Sequence, residues 1–200
     1  GAFHNQKSVR SIPYGFDPAE LNTAQGKLTD KFTITYTGNV YPGKQSPESL
    51  FAALHDLIAD GSINAGDVEV RFYGAQAGWI DKQAEHYGLT AIVKQCGVVP
   101  REIALNKQRE SQLLLLLKWN DLKQRGVYSA KIFEYLAAKR PVLAVGGFPD
   151  VVDQLLAETK AGVSAQTRED VKASLLQLYQ EYKSTGAVSY SSDEAEINKY

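Results

Sequence analysis

Gln112-Leu113-Leu114-Leu115-Leu116-Leu117 carries an unbroken run of five leucines, and Arg140-Pro141-Val142-Leu143-Ala144-Val145 leads into a second apolar run. Runs of this length, rich in aliphatic residues, read as strands covered on both faces, as in a parallel sheet. Between them Ser129–Lys139 reads as a helix. The same alternation extends outward. Lys31–Thr37 predicts a strand, with Phe32, Ile34 and Tyr36 on one face. Ser46, Pro47 and Glu48 mark the start of a helix whose apolar face carries Leu50, Phe51, Leu54, Leu57 and Ile58, stopped at Gly61. Strands are expected at Asp67–Tyr73 and Ile92–Cys96, and helices at Trp79–Tyr87, 101–110, Pro149–Thr159 and Arg168–Lys183. Parallel strands joined by helices predict an α/β class, a Rossmann-like three-layer α/β/α sandwich with a mainly parallel sheet of about six strands. Ligands of such open sheets bind at the carboxyl ends of the strands, beside helix N-termini. The loops to watch are 38–46, 74–79, 97–101, 118–130 and 146–150.

The 200 residues include 44% apolar and 22% charged positions, a globular balance. The 22 basic and 23 acidic residues are interspersed and leave a net charge of −1, which argues against a nucleic-acid surface or a polybasic membrane anchor. A single cysteine, Cys96, excludes an internal disulfide and a multi-cysteine zinc cluster; at a strand end among apolar residues it reads as an inert buried thiol. No methionine occurs, so the chain reads either as one whose start was trimmed or as a piece of a longer protein. The expected organisation is a linker segment at 1–30, a Rossmann-like domain at 31–186, and a truncated C-terminal segment at 187–200.

Two stretches carry chemistry. Gly38-Asn39-Val40-Tyr41-Pro42-Gly43-Lys44 has the Gly-x-x-x-x-Gly-Lys spacing of a phosphate-binding P-loop, but Gln45 stands where a magnesium-binding Ser or Thr belongs, and Lys118 follows the Leu run where a carboxylate belongs. Anion binding without metal, by Lys44 and helix amides, and a plain turn with a solvated lysine are the competing readings. In the second stretch, Tyr128–Ala144, Lys131 and Glu134 share one helix face in its first turns. Glu134 lies among Ile132, Phe133, Tyr135 and Leu136, and a carboxylate there wants a strong partner or a ligand hydroxyl.

The run Lys131–Ala144 resembles the KxxEYLAxxxPVLA signature of the C-terminal domain of GT-B glycosyltransferases of the group-one, family-four-like type. Tyr36–Lys44 is similar to that family's first strand and Gly-rich loop, Val70–Gly74 to its next strand and turn, Gly97-Val98-Val99-Pro100 to its nucleobase loop, and Leu113–Leu117 to the strand before the donor site. Residues 9–17, containing Ile12-Pro13-Tyr14-Gly15-Phe16-Asp17, resemble the segment that joins the two halves of such enzymes. The resemblance covers residues 7–185.

It implies one half of a GT-B fold, binding a nucleotide-diphosphate sugar of the UDP or GDP type as donor substrate, with no further cofactor. The acceptor would sit on a separate N-terminal domain of the full-length protein. Glu134 would bond the ribose hydroxyls. Lys44, with amides at Gly38 and Asn39, would face the diphosphate and stabilise the leaving group, so it is the candidate catalytic residue. Ser129, Ala130 and Lys131 would bring a helix N-terminus to the same phosphates, and Gly97, Val98 and Pro100 would border the base. The absence of any Asp-x-Asp pair fits the metal-independent type, so no metal ligands are expected. A cytoplasmic enzyme of cell-envelope polysaccharide synthesis is implied, with peripheral membrane attachment of the full-length protein as an option; nucleic acid is not an expected partner. One departure stands out: the family's Glu-x7-Glu pattern would place a sugar-contacting carboxylate at Gly126. Two rivals stay open, a P-loop-like phosphotransferase and a degenerate, non-catalytic transferase half used for protein contact.

The remaining candidates carry less. His4, His55 and His86 lie apart without metal-like spacing and read as surface or packing residues. Trp79 and Trp119 read as core or domain-contact residues, with stacking on a base or sugar as the alternative. Asn120 and Asp121 read as donor-loop residues or a plain turn.

Overall fold

A computed structural model describes residues 26–124 and 126–200, without the side chain of Gln124. The linker segment at 1–30 and the motif at 9–17 thus lie almost wholly outside the described residues.

Six strands form one parallel sheet in the order β3-β2-β1-β4-β5-β6. They are β1 (Phe32–Thr37), β2 (Val68–Tyr73), β3 (Val93–Gly97), β4 (Leu113–Leu117), β5 (Val142–Val145) and β6 (Gly162–Ala165). Helices α1 (Glu48–Ala59), α2 (Gly78–His86), α3 (Arg101–Arg109), α4 (Ala130–Ala137), α5 (Val151–Thr159), α6 (Arg168–Thr185) and the single turn α7 (Glu194–Ile197) complete the chain. The chain runs outward from β1 through β2 to β3, then returns to β4 on the other side of β1. That reversal opens a crevice between the carboxyl ends of β1 and β4.

The Leu run of β4 is buried at every position, as a central parallel strand requires. Leu113, Leu115 and Leu117 enter one core with α1, α2 and α6, and Leu114 and Leu116 enter a second with α4, α5 and α7. β1 is also central but reads Phe-Thr-Ile-Thr-Tyr-Thr. Its aromatic and aliphatic residues fill the first core. On the opposite face Thr33, Thr35 and Thr37 are buried and hydrogen-bonded: Thr33 Oγ1 accepts from the Gln112 N–H at 3.1 Å, Thr35 Oγ1 pairs with Ser111 Oγ at 2.6 Å, and Thr37 Oγ1 accepts from Gln108 Nε2 at 2.9 Å. This polar ladder satisfies hydroxyls that would otherwise be costly to bury.

Several boundaries differ from the sequence reading. Pro47 occupies the cap of α1, while the Ser46 hydroxyl accepts from the Glu48 N–H at 3.1 Å. α5 and α6 begin with capping boxes built by Asp150 with Asp153 and by Thr167 with Asp170. Strand β6 and helix α7 went unrecognised. Residues 187–200, set apart as a tail, pack onto the domain: Val188 and Ile197 are buried, and the Asp193 N–H donates to Thr159 O at 2.7 Å. Arg140 ties this segment down, donating to the carbonyls of Ser111 (2.8 Å) and Val188 (3.0 Å). No helix among the described residues is long and apolar enough to cross a membrane.

Candidate functional site

Three loops meet at the carboxyl ends of β1, β2 and β3 because their backbones interlock. The Gly38 N–H donates to Tyr73 O at 2.6 Å, the Gly74 N–H donates to Gly97 O at 3.0 Å, and the Ala75 N–H donates to Asn39 Oδ1 at 3.0 Å. Tyr36 reaches up from the core, its phenol donating to Asn39 O at 2.8 Å, and burial holds that phenol above its ordinary pKa. Two glycines make the junction possible. Gly38 adopts φ +110°, and a β-carbon on Gly74 would stand 2.2 Å from Gly38 O.

Above this junction lies a cleft of about 460 Å³ lined by Thr37–Asn39, Tyr73–Ala75, Val98, Val99, Ala104, Lys131 and Glu134. Ser129 caps α4 in extended conformation and accepts from the Lys131 N–H at 3.4 Å, so the first turn of α4 opens at the cleft edge. The Lys131 ammonium lies 5.5 Å from the centre of the Tyr36 ring. A β-carbon on Gly38 would stand 2.9 Å from its Nζ. Burial lowers the Lys131 pKa, and the carboxylate of Glu134 offsets this in part. Glu134 is one-third exposed; its Oε1 lies 3.6 Å from Arg101 Nη2, and its Oε2 accepts from Gln108 Nε2 at 3.4 Å. Tyr73, on the opposite wall, has its phenol pushed up to about 12 by burial and by the neighbouring Cys96 thiol. The cleft thus presents a desolvated cation and, on the same helix face, a carboxylate. This set can hold an anion at one end and a hydroxylated group at the other.

Of the residues expected in the site, Gly38, Asn39, Val98, Lys131 and Glu134 line this cleft. Gly97, Pro100, Ser129 and Ala130 adjoin it in the chain without lining it. Lys44 does not share it. Its Nζ is 2.8 Å from Asp121 Oδ2, on the far side of the β1–α1 loop. The reason is tertiary: the Asn120 N–H donates to Lys44 O at 2.8 Å, so the loop after β4 is pinned against the lysine and delivers Asp121 to it. The pair also holds the Asp121 carboxyl below its usual value. Spacing along the sequence pointed to Lys44; the cation nearest the Gly38 turn is Lys131.

The P-loop reading fails on geometry. The N–H groups of Lys44 and Gln45 both donate to Tyr41 O, at 3.1 and 2.9 Å, and are therefore not free to cradle phosphate. Gln45 is buried, its Nε2 donating to Leu117 O at 2.6 Å, so it braces the loop rather than replacing a metal ligand. Lys118 is buried as well, with Nζ 2.7 Å from Asp153 Oδ2, 3.4 Å from Asp150 Oδ1 and 2.6 Å from Phe148 O. No group of three or more potential metal ligands occurs among the described residues.

Sequence reasoning missed Thr37, Tyr73, Ala75, Ala104, Arg101 and Gln108. Tyr73 and Ala75 fell within or beside loops already marked by Gly74, whereas Gln108 sits in a polar helix with nothing to flag its burial. Cys96 is exposed, which corrects the expected buried thiol. Trp119 stacks on Tyr41 with ring centres 5.4 Å apart, and Asn120 Oδ1 accepts from the Gly147 N–H at 2.8 Å.

No protein-family model and no curated protein matches the chain. Solved structures do. A TarM variant of S. aureus, crystallised with Fondaparinux, alpha-GlcNAc-glycerol and UDP, superposes with a TM-score of 0.62 at 15% identity, covering 98% of this chain and 39% of that one. The C-terminal domain of LpcC, a group-one glycosyl transferase from Francisella tularensis, superposes at 0.61 with 14% identity and 92% coverage of both chains. HepE of Anabaena, in complex with UDP and glucose, superposes at 0.70 with 13% identity, covering 93% of this chain and 51% of that one. The chain therefore spans about half or less of the TarM and HepE structures, and nearly all of the isolated LpcC domain. Its fold is the Rossmann-like α/β/α half of the GT-B architecture.

Proposed function

We propose that this chain, whose fold is that of one half of a GT-B glycosyltransferase, binds the nucleotide-diphosphate sugar for transfer to an acceptor on an N-terminal domain. One observation carries the reading: Lys131 and Glu134, three residues apart on α4, line a single cleft with the carboxyl ends of β1 and β2 and the loop after β3. The Lys131 ammonium would face the diphosphate. Glu134 would take the ribose hydroxyls, as the family resemblance implies. Val98 and Val99 would border the base. Lys131 replaces Lys44 as the group stabilising the departing diphosphate, since charge developing in a desolvated cleft is best met by a cation that is already there. Neighbours crystallised with UDP or UDP-glucose support a uridine nucleotide as the first candidate.

Calorimetry with UDP, GDP and ADP, each with and without magnesium, tests the proposal. Binding in the micromolar-to-millimolar range, unaffected by chelator, is expected. No heat with any nucleotide overturns it.

A second reading rests on Gly126, which stands on the loop before α4 at φ +79° where a sugar-contacting carboxylate would be expected. In that reading the chain is a transferase half that holds nucleotide without selecting the sugar. Equal affinity for UDP and for every UDP-sugar supports it; a marked preference for one sugar excludes it.

A further inference from the structure

Gln108 is a carboxamide buried to 0% exposure on α3. Its Nε2 donates to Thr37 Oγ1 at 2.9 Å and to Glu134 Oε2 at 3.4 Å, while its Oε1 is sealed from water without a partner among the described residues. An unpaired buried carbonyl oxygen destabilises a core, so packing alone does not account for glutamine here. Arg101 and Gln108 lie seven residues apart, two turns along one face of α3. From that face Arg101 approaches Glu134 Oε1 and Gln108 bonds Oε2. Each carboxylate oxygen is thus engaged from the side of α3 and keeps its other lone pair for the cleft.

We infer that Gln108 is a positioning residue that fixes the rotamer of Glu134, so that both carboxylate oxygens meet a vicinal diol and the cleft prefers ribo- over 2′-deoxyribonucleotides. The inference rests on the nucleotide reading above and deepens it. A carboxylate one-third exposed to water and free to rotate would pay rotamer entropy to grip a diol. Anchored through Gln108 to the Thr37 hydroxyl at the end of β1, it is set before the ligand arrives. The orphaned Oε1 is the stability cost of that setting.

The test compares UDP with 2′-deoxy-UDP in the intact chain and in Gln108→Met and Gln108→Leu variants. The unmodified protein is expected to bind UDP about tenfold more tightly than 2′-deoxy-UDP. In both variants UDP affinity should fall and the ratio should approach one, with 2′-deoxy-UDP affinity little changed. Their melting temperatures should equal or exceed that of the parent, which a purely structural glutamine would not allow. Should neither variant fold, the structural role is the correct one and the inference is lost. An unchanged ribose preference in a folded variant also overturns the inference and leaves the nucleotide reading intact. Silence of the unmodified protein toward both nucleotides overturns the two together.

Discussion

The ammonium of Lys131 lies 5.5 Å from the centre of the Tyr36 ring, close against the turn at Gly38, and forms no ion pair within the described residues. In the proposed function this is the cation that meets the diphosphate.

Removing that charge should separate binding from stability. Lys131→Met is expected to weaken UDP by about 10- to 100-fold, the worth of a charge-assisted hydrogen bond. The same variant should melt at a higher temperature near neutral pH. Burial lowers the folded-state pKa of Lys131, so the unfolded chain holds this proton more tightly. Its contribution to stability therefore rises with pH across the interval between the folded and unfolded values, and is unfavourable below it. UDP affinity should fall as pH climbs through the folded value, and the fall should vanish in the variant. Calorimetry and thermal melts across alkaline pH check both signs.

Lys44→Ala should leave UDP affinity within about twofold, because its exposed ammonium is engaged by Asp121 outside the cleft. A loss as large as that of Lys131→Met would return the leaving-group role to Lys44.

Gly74→Ala places a methyl group 2.2 Å from a backbone carbonyl, Gly38 O, which no rotamer change can relieve. The expected cost is about 1–3 kcal/mol of stability, together with weaker UDP binding, since the two loops that form the cleft floor must part. Gly78→Ala, where no atom lies within 4 Å of the added carbon, is the control and should change little. Denaturant titration of the two variants measures the difference.

Lys118 and Asp153 form a pair with side chains 3% and 21% exposed. Lys118→Met should cost about 3 kcal/mol by leaving the carboxylate buried without its cation. Burial pushes the Asp153 carboxyl up, but bonds from Lys118 and the Asp150 N–H outweigh it and bring the value down to about 2. A depressed folded pKa gives stability that is fully present above the unfolded value near 4 and lost as pH falls through 2. Asp153→Asn should flatten the acid limb in that window, as seen by denaturant midpoints measured from pH 5 to pH 2.

Cys96 stands exposed at the end of β3, two residues before the cleft-lining Val98. It should react completely with a thiol reagent in the native protein, and saturating UDP should slow the reaction. A bulky adduct should reduce UDP affinity. A native thiol that reacts only after denaturation would contradict the exposed placement.

Five of the six strands were legible because burial on both faces leaves an apolar run or an alternation that can be seen locally. β4 is the clearest case, and β1 was found through Phe32, Ile34 and Tyr36 although its threonine face gave no sign of being buried too. β6 was not legible: Gly162-Val163-Ser164-Ala165 is a four-residue edge strand whose exposed Val163 and buried Ala165 give no apolar run. α7 escaped for a similar reason, being one turn anchored by Ile197 alone. In the site, Lys131 and Glu134 were readable as a pair because helix geometry fixes neighbours three residues apart. Gln108 was not, because its partners come from β1 and α4, 71 and 26 residues away.

By itself the sequence determined the alternating parallel-sheet architecture, the end of the sheet at which the cleft lies, and the helix face that carries Lys131 and Glu134. These follow from periodicity and from short-range geometry, which a linear chain records directly. Only the tertiary structure decided which cation faces the cleft. Lys44 sits in the right loop, but Asp121, 77 residues further along, captures it. Lys131 remains open to the cleft because Gly38 and Gly74 let two backbones approach so closely that a floor forms beneath it. Electrostatic partners are chosen by distance in space, and loop packing sets that distance independently of position in the chain.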